Sequence, residues 1–200
     1  MTIMFHEGNR QLQDQFDSRR IADRLEEKLT RQAFTEGDRS FIEALPFFFL
    51  ATSDDRGRAD CSFKGGLPGF VRVTGASELA FPDYDGNGMF KSLGNIVVNP
   101  EVGLLFIDMG DKPRRLRVNG RATVLRDDPL MQKFAGAQLL VRVAVRAIFP
   151  NCPRYVTMPG VAEPSKYAPR PGYEPPEPAW KGFDDFKDYV HPRQKTPDGA

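Results

Sequence analysis

The sequence predicts a mainly β fold, an antiparallel barrel with a few helices, and three observations carry that expectation. From residue 47 to residue 149 the chain runs as short segments with alternating or continuous apolar character. Turn-forming residues separate these segments at short intervals, as in "DDRG" at 54–57. The strands follow one another in hairpin-like succession, without the strand–helix alternation of a doubly wound sheet.

Each element has its own signal. In "QLQDQFDSRRIADRLEEKLTR", residues 11–31, Leu12, Phe16, Leu25 and Leu29 recur at roughly helical spacing among charges, which predicts a surface helix. "DRSFIEALPFFFL" places Glu43 three residues after Ser40, the reciprocal pattern that satisfies free amides at a helix start. Pro46 should end that helix and "FFFLATS" should open the sheet. The "DDRG" turn then makes a hairpin of 47–53 with 59–64, where Asp60, Ser62 and Lys64 share one face and Ala59, Cys61 and Phe63 the other. "GFVRV" and "ELAFP" read as two further short strands.

Beyond them, Met89, Leu93, Ile96 and Val97 fall on one face of a helix that Asn99-Pro100 should stop. "VGLLFID" resembles a strand buried on both faces, while "RRLRVNGRATVL" and "LLVRVAVRAIF" alternate. Between the last two, "DDPLMQKF" predicts a short helix started by Asp127 or Asp128, with proline in its first turn.

The chain therefore divides into a helical extension over 1–39, a barrel over 40–149 and an arm over 150–200. The arm holds eleven of the seventeen prolines, which disfavours regular structure, yet Tyr155, Tyr167, Tyr173, Trp180, Phe183, Phe186 and Tyr189 recur through it. We read it as an extended segment that packs on its own barrel or on a neighbour.

Composition narrows the function. With 28 basic and 27 acidic residues the net charge is +1, which argues against a general nucleic-acid or membrane-surface binder. No stretch is long and apolar enough to span a bilayer and the N-terminus has no signal-peptide core, so a cytoplasmic address is expected. The two histidines, His6 and His191, stand near the termini, which sets aside serine, papain-like and zinc hydrolase chemistry. Cys61 and Cys152 have no metal-type spacing and are expected to be reduced packing residues.

Three stretches could carry chemistry. "YDGNGMFKSLGN", 84–95, is a Gly-rich turn running into a helix, where exposed amides favour an anion and Lys91 and Ser92 add a cation and a hydroxyl. The same residues also suit a capped helix whose lysine faces water. "KPRRLRVNGR", 112–121, puts Leu116, Val118, Gly120 and Ala122 on one strand face and Arg115, Arg117, Asn119 and Arg121 on the other. That guanidinium row could bind phosphate or pair with cross-strand acids, and Arg142 and Arg146 invite the same two readings. "DCSFKGGLPGFVRV" would let a flat ring lie against backbone, or is a hairpin with a glycine-containing loop.

The order of these stretches resembles the pyridoxamine 5′-phosphate oxidase-like family of FMN-binding split barrels, over about residues 40–149. "DCSFKGG", "GNGMFKSLGNI" with "NPEVGLLF", and "RLRVNG" are its most specific parts. The resemblance implies a six-stranded antiparallel barrel of Greek-key type that dimerises, with FMN in clefts at the interface. It implies that Asn87, Met89, Phe90, Lys91 and Ser92 hold the ribityl phosphate. By the same resemblance Phe70, Val71, Arg72 and Val73, with Ser62 and Lys64 on the adjacent strand, lie beside the flavin ring, and Arg115 and Arg117 reach its polar edge or phosphate. The family's oxidase has an arginine and a lysine where this chain has Gly69 and Thr74, and a basic C-terminal substrate segment that "YVTMPGVAEPSKYAPRPGYEPPEP" does not match. The expectation is thus an FMN-dependent oxidoreductase acting on an unidentified small molecule, as a homodimer. The same barrel with a deazaflavin or a tetrapyrrole substrate, or as a flavin-holding dimerisation module, stays open beside it.

Overall fold

The computed structural model describes residues 2, 4–110, 113–154, 156 and 176–190. Two compact units divide the chain, one spanning 31–162 and the other combining 1–30 with 163–200. Lys112, Tyr155, Tyr167, Tyr173 and His191 lie outside the described residues.

In the second of these units, the expected single helix over 11–31 is two helices, α1 (Glu7–Gln15) and α2 (Arg19–Leu29). The break falls at Asp17, whose φ of 46° is left-handed and incompatible with a continuing α-helix. Residues 176–190 of the arm pack on α2. Arg20 and Arg24 donate to the carbonyls of Asp188 and Asp185, at 3.0 and 2.9 Å, and the Arg24 guanidinium lies 5.1 Å from the centre of the Tyr189 ring.

Residues 31–162 form a seven-stranded antiparallel sheet: β1 (Phe47–Ser53), β2 (Ala59–Gly65), β3 (Arg72–Gly75), β4 (Glu78–Tyr84), β5 (Glu101–Asp108), β6 (Arg114–Leu125) and β7 (Ala137–Asn151). The order is β2-β1-β5-β6-β7-β4-β3. β1 and β4 stand four strand spacings apart, roughly 19 Å in a flat sheet at about 4.8 Å per step. Yet the rings of Phe48 on β1 and Phe81 on β4 are only 5.0 Å apart, so the sheet is curled on itself. Its edge strands β2 and β3 do not pair, and the result is a split barrel, with seven strands where six were expected.

The alternation read from the sequence matches the burial. On β6, Leu116, Val118, Gly120 and Ala122 point inward, and Gly120 has to be glycine, because a Cβ there would sit 2.3 Å from the Ala144 carbonyl oxygen. β5 buries one face only, through Val102, Leu104 and Phe106. The strand predicted to be covered on both sides therefore alternates as well. Cys61, expected to pack, is exposed on the outer face of β2.

Two helices lean on the barrel. α3 (Glu36–Ala44) starts earlier than Ser40. Thr35 is its cap, accepting from the Asp38 amide at 3.1 Å, while the Asp38 carboxylate accepts from the Thr35 amide at 2.9 Å. Glu43, expected in that role, instead accepts from the Val73 amide at 3.1 Å. α4 (Lys91–Val98) buries Leu93 and Ile96, whereas Val97 is exposed and Met89 precedes the helix and is exposed. A 3₁₀ turn, Pro129–Lys133, begins at Asp128, whose carboxylate accepts from the Leu130 amide at 2.8 Å.

Candidate functional site

The ladder of β3 on β4 ends at Ala80, leaving the Phe81–Tyr84 end of β4 without a partner on that side. A cleft of about 630 Å³ lies there, between β2, the end of β4, the Gly-rich turn and the start of α4. Its position follows from the split, because the two strands that would close the barrel stop short of each other.

The turn is shaped by two left-handed residues, Gly88 (φ 72°) and Phe90 (φ 47°). Glycine takes that conformation at no steric cost, while phenylalanine takes it only where the surroundings hold it. The Asn87 side chain steadies the turn by accepting from the Met89 amide at 3.0 Å. Phe90 precedes α4 and no side chain caps the helix, so its first amides carry the usual unmet donors of a helix start. Polar contacts seat α4 on the hairpin of β1 and β2. Ser92 shares a 2.9 Å hydrogen bond with Ser62, and Asn95 donates to Thr52 at 3.0 Å. Asn99, just past the helix, donates to Ser53 at 2.9 Å.

Seven of the residues singled out from the sequence line this cleft: Ser62, Lys64, Phe70, Asn87, Phe90, Lys91 and Ser92. Six do not. Val71 and Val73 are buried in the core, and Arg72 points to Glu43, 3.5 Å away. Met89 is exposed beside the turn. Arg115 donates to the Cys152 carbonyl, and its Nε is buried with no acceptor among the described residues. Arg117 sits exposed between Leu105 and Phe149 in the ladder. The remaining arginines of these faces pair with acids: Arg121 and Arg146 with Glu101, and Arg142 with both Asp128 and Glu78.

Sequence reading missed Asp83, Tyr84 and Gln138, which also line the cleft. A register shift between Asp83 and Tyr84, opposite β7, re-aims the strand end. Burial pushes the Asp83 carboxyl up, with Lys64 opposing, and burial likewise pushes the Tyr84 hydroxyl up. The cleft thus combines a cation, hydroxyls and open amides near α4 with aromatic surface from Phe63, Phe70 and Phe90. Such a set can hold an anion and a flat ring together. Among the described residues there is no cluster of histidine, cysteine and acidic side chains that could hold a metal.

The family described as pyridoxamine 5′-phosphate oxidase matches residues 34–159, which takes in the whole sheet with α3 and α4. This chain belongs to that family. No curated protein matches it. Among solved structures, HupZ from Group A Streptococcus is 16% identical over 58% of this chain and 93% of its own, with a TM-score of 0.47. An FMN-binding protein from Syntrophomonas wolfei is 13% identical over 73% of this chain and 96% of its own, at 0.46. A FAD-binding protein from Mesorhizobium loti is 14% identical over 62% and 99%, at 0.43. No helix among the described residues is long and apolar enough to cross a membrane.

Proposed function

We propose that the cleft holds FMN and that the chain is an FMN-dependent oxidoreductase of the pyridoxamine 5′-phosphate oxidase family, acting on a small molecule. The observation that carries this reading is the convergence on one cleft of Lys91, Ser92, the Gly86–Gly88 turn and the uncapped start of α4 with the rings of Phe63, Phe70 and Phe90. The donor set fits the cofactor: open amides, a hydroxyl and an ammonium suit a phosphate, and the aromatic walls suit an isoalloxazine. Lys91 and Ser92 hold the phosphate, Ser62 and Lys64 face the ring from β2, and Phe70 backs it from the core side. When bound, the flavin supplies hydride transfer, while the protein contributes position and electrostatics.

A homodimer completes the reading. Leu67, Met89, Val97 and Val98 are each more than half exposed, as is Phe63 on the cleft wall. Large apolar side chains left exposed on α4, on the turn before it and around the end of β2 suit burial against a second copy. Val97→Glu places a charge on that surface, so the expected result in sedimentation velocity is a dimer for the parent chain and a monomer for the variant. A dimer unchanged by the substitution would move the interface elsewhere.

Titration with FMN and riboflavin tests the phosphate seat. FMN should bind far more tightly than riboflavin. Lys91→Ala should weaken FMN binding by about 1.5–3 kcal/mol, the usual worth of a charged hydrogen bond, and leave riboflavin nearly unaffected. Equal affinities for the two flavins would end the phosphate reading.

A further inference from the structure

A second hollow, of about 550 Å³, opens beside the cleft, walled by Leu93 and Val97 of α4, Val124 at the end of β6 and Leu139 at the start of β7. It continues from the phosphate end of the cleft. Phe90, Leu93 and Gln138 line both spaces, and in the chain Phe90 and Leu93 flank Lys91 and Ser92. Gly94, exposed in the interior of α4, also lies on the hollow. Glycine is among the weakest residues for a helix interior. No packing asks for it here, because a Cβ at Gly94 would meet no atom within 4 Å outside its own stretch of helix. The space is thus left open at some cost to the helix.

Charge is a second and independent indication. Lys64 and Lys91 line the cleft, and Asp83 and Asp85 line it with them. A balanced lining suits one negative charge at the helix start better than the nearly two that a phosphate monoester carries at neutral pH. The hollow is different. Arg126 is the charged residue of its lining among the described residues and makes no ion pair there, and its sequence neighbour Asp127 is not on the wall. Gln138, at the boundary, donates to Asp85 at 3.4 Å.

We propose that the ligand runs on past the phosphate seat into this hollow, so that the site takes a flavin whose phosphate is a diester, a flavin dinucleotide. This rests on the flavin reading above, whose FMN becomes the inner half of the longer molecule. A diester carries one charge on each phosphate. The first matches the ammonium of Lys91 at the start of α4, and the second falls to the guanidinium of Arg126. The base beyond it is flat and weakly polar, and it lies along the apolar wall in the clearance that Gly94 leaves, with the Phe90 ring beside it. Val97 belongs both to this wall and to the surface assigned to a second copy, so it stays unchanged in the test.

The test is calorimetric titration of FMN and of flavin adenine dinucleotide into the full chain, Gly94→Leu and Arg126→Ala. The parent should hold the dinucleotide about tenfold or more tighter than FMN, the worth of one added charged contact. Arg126→Ala removes that contact and Gly94→Leu fills the hollow. Each should bring the dinucleotide close to the FMN level, with FMN affinity nearly unchanged. Both positions are exposed, and leucine favours a helix more than glycine does, so the fold is kept. A dinucleotide bound no tighter than FMN by the parent overturns the proposal, which is also the result if a second copy fills the hollow. A preference that either variant keeps in full overturns it too, and so does a loss that falls equally on FMN. The parent chain binding neither flavin defeats the flavin reading itself, an outcome visible before any variant is measured.

Discussion

Phe48→Ala should lower the stability of the barrel by about 3–5 kcal/mol, the usual cost of truncating a fully buried phenylalanine. The ring is completely buried and meets three others, Phe81 at 5.0 Å, Phe106 at 5.2 Å and Phe70 at 5.9 Å between centroids. These come from β4, β5 and the segment before β3, so one side chain ties β1 and its ladder partner β5 to β4 and the segment before β3, with which neither strand shares a ladder. Packing of this kind holds the curl, since backbone hydrogen bonds would survive in a flatter sheet. A second effect reaches the cleft. Phe70 forms part of the cleft wall, and its nearly parallel neighbour is Phe48, so the truncation should also loosen flavin binding. Urea unfolding at neutral pH checks the first expectation, and a midpoint shift worth under about 1 kcal/mol would mean that the core collapses around the gap.

Asp38→Ala should cost about 2–4 kcal/mol, from a lost helix cap and lost charge-assisted bonds. The Asp38 side chain is almost wholly buried and receives hydrogen bonds from Arg31, from the Thr35 amide at 2.9 Å and from the Thr35 hydroxyl at 2.8 Å, with Arg114 3.7 Å away. Burial alone would raise its pKa, but Arg31 and Thr35 together outweigh it and hold the carboxyl below the ordinary value. The sign of the pH effect follows. A depressed folded-state pKa gives stability that is full above the unfolded carboxyl's value, about 3.9, and is lost as pH falls through the folded one. The gap between parent and variant should therefore be widest at neutral pH and narrow below about pH 4. A gap constant from pH 7 to pH 3, measured by urea midpoints, would show that Asp38 acts through shape rather than charge.

The strands were legible because a half-covered sheet imposes a period of two, and "RRLRVNGRATVL" keeps that period for its whole length. What failed was local pattern without tertiary context. Ser40-x-x-Glu43 and Thr35-x-x-Asp38 both carry a capping-box pattern, and only the fold decides between them, by supplying Arg31 to Asp38 and the Val73 amide to Glu43. Similarly, helical spacing put Met89 and Val97 on a buried face, but the left-handed Phe90 delays the helix start and the buried stripe is Ser92, Leu93, Asn95 and Ile96. Within the cleft, residues on the Gly-rich turn and on β2 could be found because glycines and alternation announce them. Asp83 could not. One acid at a strand end reads as a turn residue until the neighbouring strand is seen to stop short.

That early stop gives the cleft a mechanical character. Widening an ordinary sheet breaks ladder bonds along its whole length, whereas no ladder joins β2 to β3. Among the described residues, the side-chain hydrogen bond that fastens β2 to the start of α4 is the one between the hydroxyls of Ser62 and Ser92, worth about 1 kcal/mol. The barrel is therefore stiff along its strands and compliant across its seam. On the flavin reading proposed above, ring systems of different breadth would be admitted by changing a few side chains at the clasp, with the strand pairing left as it is.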